Sequence, residues 1–416
     1  MKLFKQNHYR LKLCIILAVF LMLVMLEDKY LIANVILAES IYLFYKQKNN
    51  IYTIIIFGFI LWSNYSFLIA NIYSPIPDSI YSSLSHDPII IEALLLLYVF
   101  MSGLLFVPII RREYFVVLFN RNRDGNMLIF CGGLLFLVLT FFYGFEKPEE
   151  TGDRGAPSSI YEYSIIVFIF SYYYSKYRWQ FALLSLVLFL FSAQNIIYGG
   201  RVTALQLMVV FFLCIIKPNY KIKKYIPYIV LAFIVFTAVG SLRGEILMGG
   251  NIFTVAIDKV ISTKLALDTS YSAFYCSLTF LKVLHRIDVY EHLYLIKQYI
   301  CYLLFGSGVK DSNLSEYTFN YYEHTYGGVL PFYAYFYLFG YFGVLLLNLY
   351  IKKIFKLAFG GNNFSKCFCL YFVATTPRWF LYSPSPITRG LMFFFIIYTI
   401  CTCFDRFSKK YLLSLK

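Results

Sequence analysis

Apolar stretches near membrane-crossing length recur along the whole chain, separated by short polar breaks. A helix needs roughly 17 to 25 apolar residues to cross the hydrocarbon core of a bilayer. These stretches lack the short alternation of barrel strands, and lipid offers no partner for open strand edges. The pattern therefore predicts an all-α polytopic membrane protein, with residues 1–416 forming a single integral membrane domain. About twelve transmembrane helices are predicted, near residues 13–26, 30–45, 51–72, 89–110, 127–145, 160–175, 179–198, 202–216, 226–241, 329–351, 367–383 and 387–404.

Composition agrees with that pattern and narrows the classes of partner. The chain is 60% hydrophobic and 14% charged, whereas soluble domains are about 25% charged. Its formal net charge of +15 does not indicate nucleic acid, because no polar domain concentrates the basic residues on one surface. Membrane lipid is the expected environment, and nucleic acid is not an expected partner.

The basic residues instead predict the topology. Lys and Arg collect in every second break between apolar stretches and at both ends of the chain, as short cytoplasmic loops require. Both termini are therefore predicted to be cytoplasmic, in a multi-pass protein of a bacterial inner membrane. The largest break, residues 242–328, then becomes a large periplasmic loop.

That loop contains two moderately apolar stretches, residues 265–284 and 293–305. Asp268, Lys282 and Lys297 favour short amphipathic helices lying on the membrane surface. The alternative is a hairpin that crosses the membrane, which would leave the orientation of every later span unchanged.

Arginines at the predicted outer face are the most informative residues, because an Arg within a span costs about 2.5 to 3.5 kcal/mol or more. Arg201 follows Gly199 and Gly200 at the start of a span, where free helix N–H groups and a guanidinium together suit a diphosphate. Arg243 and Arg378 are predicted at the same membrane level. The alternative is that each arginine snorkels to lipid headgroups or pairs with a nearby acid.

His324 is the candidate general base. It lies just before the outward end of a span, and neutral imidazole can accept a proton from a hydroxyl at neutral pH. The alternative is a structural loop histidine that bonds backbone. Tyr322 and Tyr326 flank it and are candidates for stacking on sugar rings, although aromatic belts at membrane interfaces are routine.

Three acidic residues carry competing hypotheses. Glu39 lies in the middle of the second span, where it suits either a proton-coupled carrier or a bonded helix contact. Glu27 and Asp28 form an acidic pair in the first outer loop, where they suit a metal-dependent sugar transferase or a plain turn. No metal-ligand histidine cluster and no phosphate-binding P-loop occur in the sequence.

These features together resemble the bacterial O-antigen and capsule repeat-unit polymerases. The resemblance covers most of the chain after about residue 125 and rests on short motifs within the general layout. The motifs are Gly199-Gly200-Arg201, Ser241-Leu242-Arg243-Gly244-Glu245, His324 with Gly327, Gly328 and Pro331, the Gly340 to Gly343 stretch, and Pro377-Arg378-Trp379.

The resemblance implies a glycosyltransferase that polymerises undecaprenyl-diphosphate-linked oligosaccharide repeat units at the periplasmic face, without a metal or other cofactor. It implies that Arg201, Arg243 and Arg378 bind the diphosphate and that His324 is the catalytic base. A chain-length regulator is a candidate protein partner. O-antigen ligases share much of this layout, and lipid-linked oligosaccharide flippases or transporters are the alternative outside glycosyl transfer.

Overall fold

The computed structural model describes residues 2–73, 87–111, 113–118, 125–146, 156–198, 201–215, 227, 268–306 and 336–414. Within these ranges the regular secondary structure is helical apart from one short antiparallel strand pair, β1 (Phe145–Glu146) and β2 (Ala156–Pro157). The all-helical class predicted from the apolar stretches is confirmed for this part of the chain.

Most helices lie close to the predicted spans, although the helix predicted at 13–26 begins at Lys2 and the span predicted at 367–383 consists of two helices. Asn126, Ser158 and Asn362 cap the starts of three of them by accepting backbone N–H groups with their side chains. The helices are α1 (Lys2–Leu26), α2 (Lys29–Gln47), α3 (Ile51–Leu68) with a π-helical turn (Ile69–Tyr73), α4 (Ile89–Leu104), α5 (Met127–Tyr143), α6 (Ser159–Tyr173), α7 (Arg178–Tyr198), α8 (Arg201–Ile215), α9 (Asp268–Leu284), α10 (Val289–Phe305), α11 (Tyr337–Ala358), α12 (Asn363–Ala374), α13 (Thr376–Leu381) and α14 (Arg389–Ser414).

Three helical segments of the described chain are long and apolar enough to cross a membrane: Ile51–Tyr73, Tyr337–Ala358 and Arg389–Lys410. Four shorter helices are also apolar, and they occur within α4, α5, α8 and α9. The predicted span at residues 226–241 lies outside the described residues. The full count of about twelve spans remains a prediction.

The helices form two compact units. The first consists of Met1–Ile110, Ala266–Lys356 and Trp379–Ser385. Within it α2 packs against α3 and α4, and α9 packs against the same two helices. Phe67 of α3 stacks on Phe274 of α9, with ring centroids 4.9 Å apart.

Helix α9 differs from the surface-lying amphipathic helix that its sequence predicts. Every side chain from residue 273 to 281 is buried, so this stretch of the helix is enclosed on all faces. Lys282, which gives the segment its amphipathic character, forms an ion pair with Asp87 just before α4. The charge of Lys282, near the end of the helix, is therefore paired with an acid, and the apolar surface of the helix packs against α3 and α4. Helix α10 buries one side only, through Leu295, Gln298, Tyr299 and Leu303.

The second unit consists of Arg111–Leu265, Leu357–Arg378 and Pro386–Lys416. Helix α5 packs against α6, and α7 packs against α8. Helix α12 contacts both α6 and α8, while α14 contacts α5 and α6. The amide of Asn126 donates to Asp405 at 3.0 Å and to Ser408 at 2.9 Å, which fastens the start of α5 to the late turns of α14.

Candidate functional site

One predicted site residue, Arg378, has its side chain in the described part of the structure. Arg243, His324, Tyr322 and Tyr326 lie outside the described residues. Arg201 is described through its backbone, which begins helix α8 in the second unit. The site is therefore built outward from Arg378.

Arg378 is paired with an acid from a distant part of the chain. It lies in α13, and its guanidinium Nη2 donates to Oε1 of Glu162, in the first turn of α6. The two side chains are only 26% and 23% exposed, so solvent screens their charges incompletely. A charge-assisted hydrogen bond of this kind is roughly twice as strong as a neutral one.

The next residue along α6 holds a second arginine. Arg389 is the first residue of α14, and its Nε donates to the Tyr163 hydroxyl at 3.2 Å. Its guanidinium carbon also lies 5.6 Å from the Tyr163 ring centroid, within the range of a cation–π contact. Glu162 and Tyr163 thus hold one arginine each.

A buried tyrosine completes this group. Tyr371 of α12 is 1% exposed and interacts electrostatically with Tyr163, Glu162 and both arginines. Gly390 allows α14 to approach it, because a Cβ at that position would overlap the Tyr371 hydroxyl and press on the Tyr163 ring. We call Glu162, Tyr163, Tyr371, Arg378 and Arg389 the arginine–tyrosine cluster.

The charge of the arginine–tyrosine cluster favours an anion. With both guanidinium groups and one carboxylate ionised, the cluster carries one net positive charge. Guanidinium groups present several N–H donors in a planar fork that matches phosphate oxygens. A diphosphate approaching Arg378 would share that guanidinium with Glu162, whereas Arg389 has a neutral phenol as its described partner.

The pairing with Glu162 bears directly on the sequence hypothesis. Two roles were open for each outer arginine, namely anion binding and pairing with a nearby acid. For Arg378 the described structure provides the acid. Binding of a diphosphate by this residue therefore needs rearrangement of the ion pair or a second set of its N–H groups.

Arg201 lies in the same unit as the arginine–tyrosine cluster. Its helix, α8, packs against α12, which carries Tyr371, and against α6, which carries Glu162 and Tyr163. The predicted topology places the first residues of α6, α8 and α14 at the outer face. Three helix starts with acidic or basic residues therefore belong to one unit at one predicted membrane level.

Arg389, Glu162 and Tyr163 were not identified from the sequence. Arg389 had a usable signal, since it is an arginine next to a short outer loop and follows Pro384 and Pro386. Glu162 and Tyr163 had none, because their partners lie more than two hundred positions away along the chain.

Two of the acidic candidates, Glu39 and Asp28, have local structural roles. Glu39 accepts a hydrogen bond from the Ser102 hydroxyl at 2.7 Å, as the helix-contact alternative predicts. Asp28 caps α2, with its carboxylate accepting from the N–H groups of Tyr30 and Leu31. In the part of the chain that the structure describes, no group of three or more His, Cys, Asp or Glu residues is placed to hold a metal ion.

The described site thus consists of two arginines held by consecutive residues of α6, beside a buried tyrosine of α12. Its chemistry suits a phosphate-containing ligand. Comparisons with protein-family models, with curated proteins and with solved structures find no match to this chain.

Proposed function

We propose that the chain is a membrane glycosyltransferase that polymerises undecaprenyl-diphosphate-linked oligosaccharide repeat units at the periplasmic face. The observation that carries the proposal is the arginine–tyrosine cluster, in which Arg378 and Arg389 lie at helix ends predicted to face outward. Basic residues at that face run against the usual charge asymmetry of membrane proteins, so a role in binding an anion accounts for them.

The proposed reaction transfers a growing glycan to a new repeat unit. A hydroxyl oxygen of the new unit attacks the anomeric carbon of the growing glycan, and the bond from that carbon to the diphosphate oxygen breaks. The diphosphate leaves with the bonding electron pair, and the hydroxyl proton passes to a base. No nucleotide sugar is needed, since the energy resides in the glycosyl diphosphate.

The residues supply what those steps require. Arg201, Arg243 and Arg378 balance the charge that grows on the leaving diphosphate, an effect that acts mainly in the transition state. Arg389 adds a further cation to the arginine–tyrosine cluster. His324 accepts the hydroxyl proton, and Tyr322 and Tyr326 stack on the sugar rings.

The wider architecture belongs to the same proposal. About twelve spans, cytoplasmic termini and a large periplasmic loop at residues 242–328 would give a lipid-linked substrate access from the bilayer. The buried helix α9 modifies this picture, because it makes part of the loop an element of the first unit rather than a surface helix.

Replacement of Arg243 tests the proposal in cells that depend on this chain. Arg243→Ala should leave lipid A core carrying a single repeat unit, together with accumulated lipid-linked repeats, at normal protein level. Arg406→Ala is the matched control, because Arg406 is an exposed arginine near the predicted cytoplasmic end of α14. Full-length glycan in the Arg243 variant would contradict the proposal.

The same experiment separates the alternatives. Loss of a ligase would leave core without any repeat unit, while long lipid-linked glycan would persist. Loss of a flippase would confine the lipid-linked repeats to the cytoplasmic leaflet.

A further inference from the structure

Two lysines from different helices bind one backbone carbonyl in the first unit. The Lys12 ammonium of α1 donates to the Leu105 carbonyl oxygen at 2.9 Å, and the Lys46 ammonium of α2 donates to the same oxygen at 2.7 Å. Leu105 directly follows α4, whose last carbonyl groups have no partner inside the helix and carry partial negative charge. The carbonyl oxygen has two lone pairs, so it can accept a hydrogen bond from each lysine.

The partial negative charge of one carbonyl oxygen does not balance the full positive charges of two nearby ammonium groups. Because both donate to one oxygen, the two ammonium groups lie close together, yet an ammonium group has donors only and offers no acceptor. Both side chains are partly buried, so water relieves their repulsion less than at an exposed surface. An anion between the two groups would supply the missing acceptor.

The surrounding charges leave the group net positive. Glu39 attracts Lys12 electrostatically, while its Oε1 accepts from Ser102. The Phe106 ring lies 5.0 Å from the Lys12 ammonium. The side-chain amide of Gln47, the residue after Lys46, donates to the Pro108 carbonyl oxygen at 3.1 Å. Among the residues that the structure describes here, one carboxylate, Glu39, therefore opposes two ammonium groups.

We infer that Lys12 and Lys46 form a binding site for the phosphate of an anionic phospholipid. The predicted topology places these ends of α1, α2 and α4 at the cytoplasmic face. Basic pockets between membrane helices on that side bind lipid headgroups. The two ammonium groups would each bind one non-bridging phosphate oxygen, and the acyl chains would lie along the exposed apolar side chains of α1, such as Leu17 and Leu21. This site is independent of the proposed transferase chemistry at the outer face.

Lipid titration of the purified full-length protein tests the site. In neutral detergent, phosphatidylglycerol should raise the unfolding temperature, whereas phosphatidylcholine and inorganic phosphate should not. The double variant Lys12→Gln with Lys46→Gln should bind phosphatidylglycerol about tenfold more weakly or worse, since two charge-assisted hydrogen bonds are lost. Lys48→Gln is the matched control, because Lys48 is exposed and stacks on Tyr45. It should bind as the wild type does.

Each contrary outcome overturns the inference. Equal shifts with phosphatidylcholine would show no preference for anionic lipid, and an equal shift with inorganic phosphate would indicate a free-anion site. Equal loss in the Lys48 variant would indicate general surface charge. If the double variant does not fold, native mass spectrometry of the wild type decides, because phosphatidylglycerol must then dissociate at higher activation than phosphatidylcholine.

Discussion

Arg378 donates to Glu162 across 216 positions of the chain, and this contact joins α13 to the first turn of α6. Such a pair can have two roles, because it stabilises the second unit and also contributes a cation to the arginine–tyrosine cluster. The two roles respond differently to mutation.

Exchange of the two charges separates those roles. Arg378→Ala should lower the polymerisation rate by about 10² to 10³, as removal of one transition-state donor does in other enzymes. In the double variant Arg378→Glu with Glu162→Arg, the ion pair is kept but the acid and the base have exchanged positions. We expect it to recover the unfolding temperature of the wild type but not its polymerisation rate. Recovery of both would assign Arg378 to structure alone.

Loss of the hydrogen bond between Arg389 and Tyr163 is expected to lower the stability of the protein by a small amount. Tyr163→Phe removes the hydroxyl that accepts from Arg389 Nε but keeps the ring against its guanidinium. The free energy of unfolding should fall by about 1 kcal/mol, the usual net contribution of one hydrogen bond. Chemical unfolding in detergent measures this change. Tyr177→Phe is the control, since Tyr177 is exposed and stacks on Trp179, and there the stability should not change.

The elements of the fold follow local patterns, and for that reason the sequence predicts them well. Helices expected to begin at residues 179 and 202 are found as α7 from Arg178 and α8 from Arg201. Apolar run length and the polar breaks between runs are properties of neighbouring residues. The position of a helix can therefore be predicted from these two properties even when the segments that it packs against are unknown.

Contacts between distant segments do not follow from such patterns. Lys282 makes α9 look amphipathic, yet the structure pairs it with Asp87 and buries the preceding turns among α3 and α4. The ion pair between Arg378 and Glu162 could not be predicted either, because no sequence pattern near Glu162 indicates a contact with residue 378. The positive-inside pattern that singles out Arg201 in the sequence could also have singled out Arg389.

Replacement of His324 tests the assignment of the general base. His324→Gln should lower polymerisation by about 10² to 10⁴, the range that a positioned proton acceptor usually contributes. His285→Gln is the matched control, since the His285 ring bonds Glu92 at 2.8 Å in the first unit and has no assigned role in the reaction. Polymer length in cells and protein level by immunoblot are the measurements. If the His285 variant loses polymer while the His324 variant keeps full activity, His285 and not His324 would be assigned as the general base.

The ion pair between Asp87 and Lys282 predicts an acid-sensitive stability. Partial burial acts to raise the pKa of Asp87, but the hydrogen bond and charge of Lys282 and the Ile89 N–H outweigh it, so the pKa lies below its usual value. A lowered carboxyl pKa contributes stability above the unfolded-state value near 4, and that contribution is lost as pH falls through the folded-state pKa.

We therefore expect the unfolding temperature of the wild type to fall more steeply than that of Asp87→Asn as pH drops below about 4. At neutral pH the variant should be less stable by about 1 kcal/mol, since the pair is only partly shielded from solvent. Lys282→Gln should show the same neutral-pH loss. Parallel pH profiles for wild type and Asp87→Asn would contradict this account.

The most direct measurement uses the purified protein and a defined undecaprenyl-diphosphate-linked repeat unit in vesicles, with a chelator present. The account predicts glycans of two or more repeats on one carrier and release of one undecaprenyl diphosphate for each linkage formed. Arg243→Ala and His324→Gln should each lower the yield of both products by about 10² or more, while Arg406→Ala should give wild-type amounts. A wild-type protein that forms no linkage, or that only moves the intact lipid-linked repeat across the bilayer, would contradict the assignment as a glycosyltransferase.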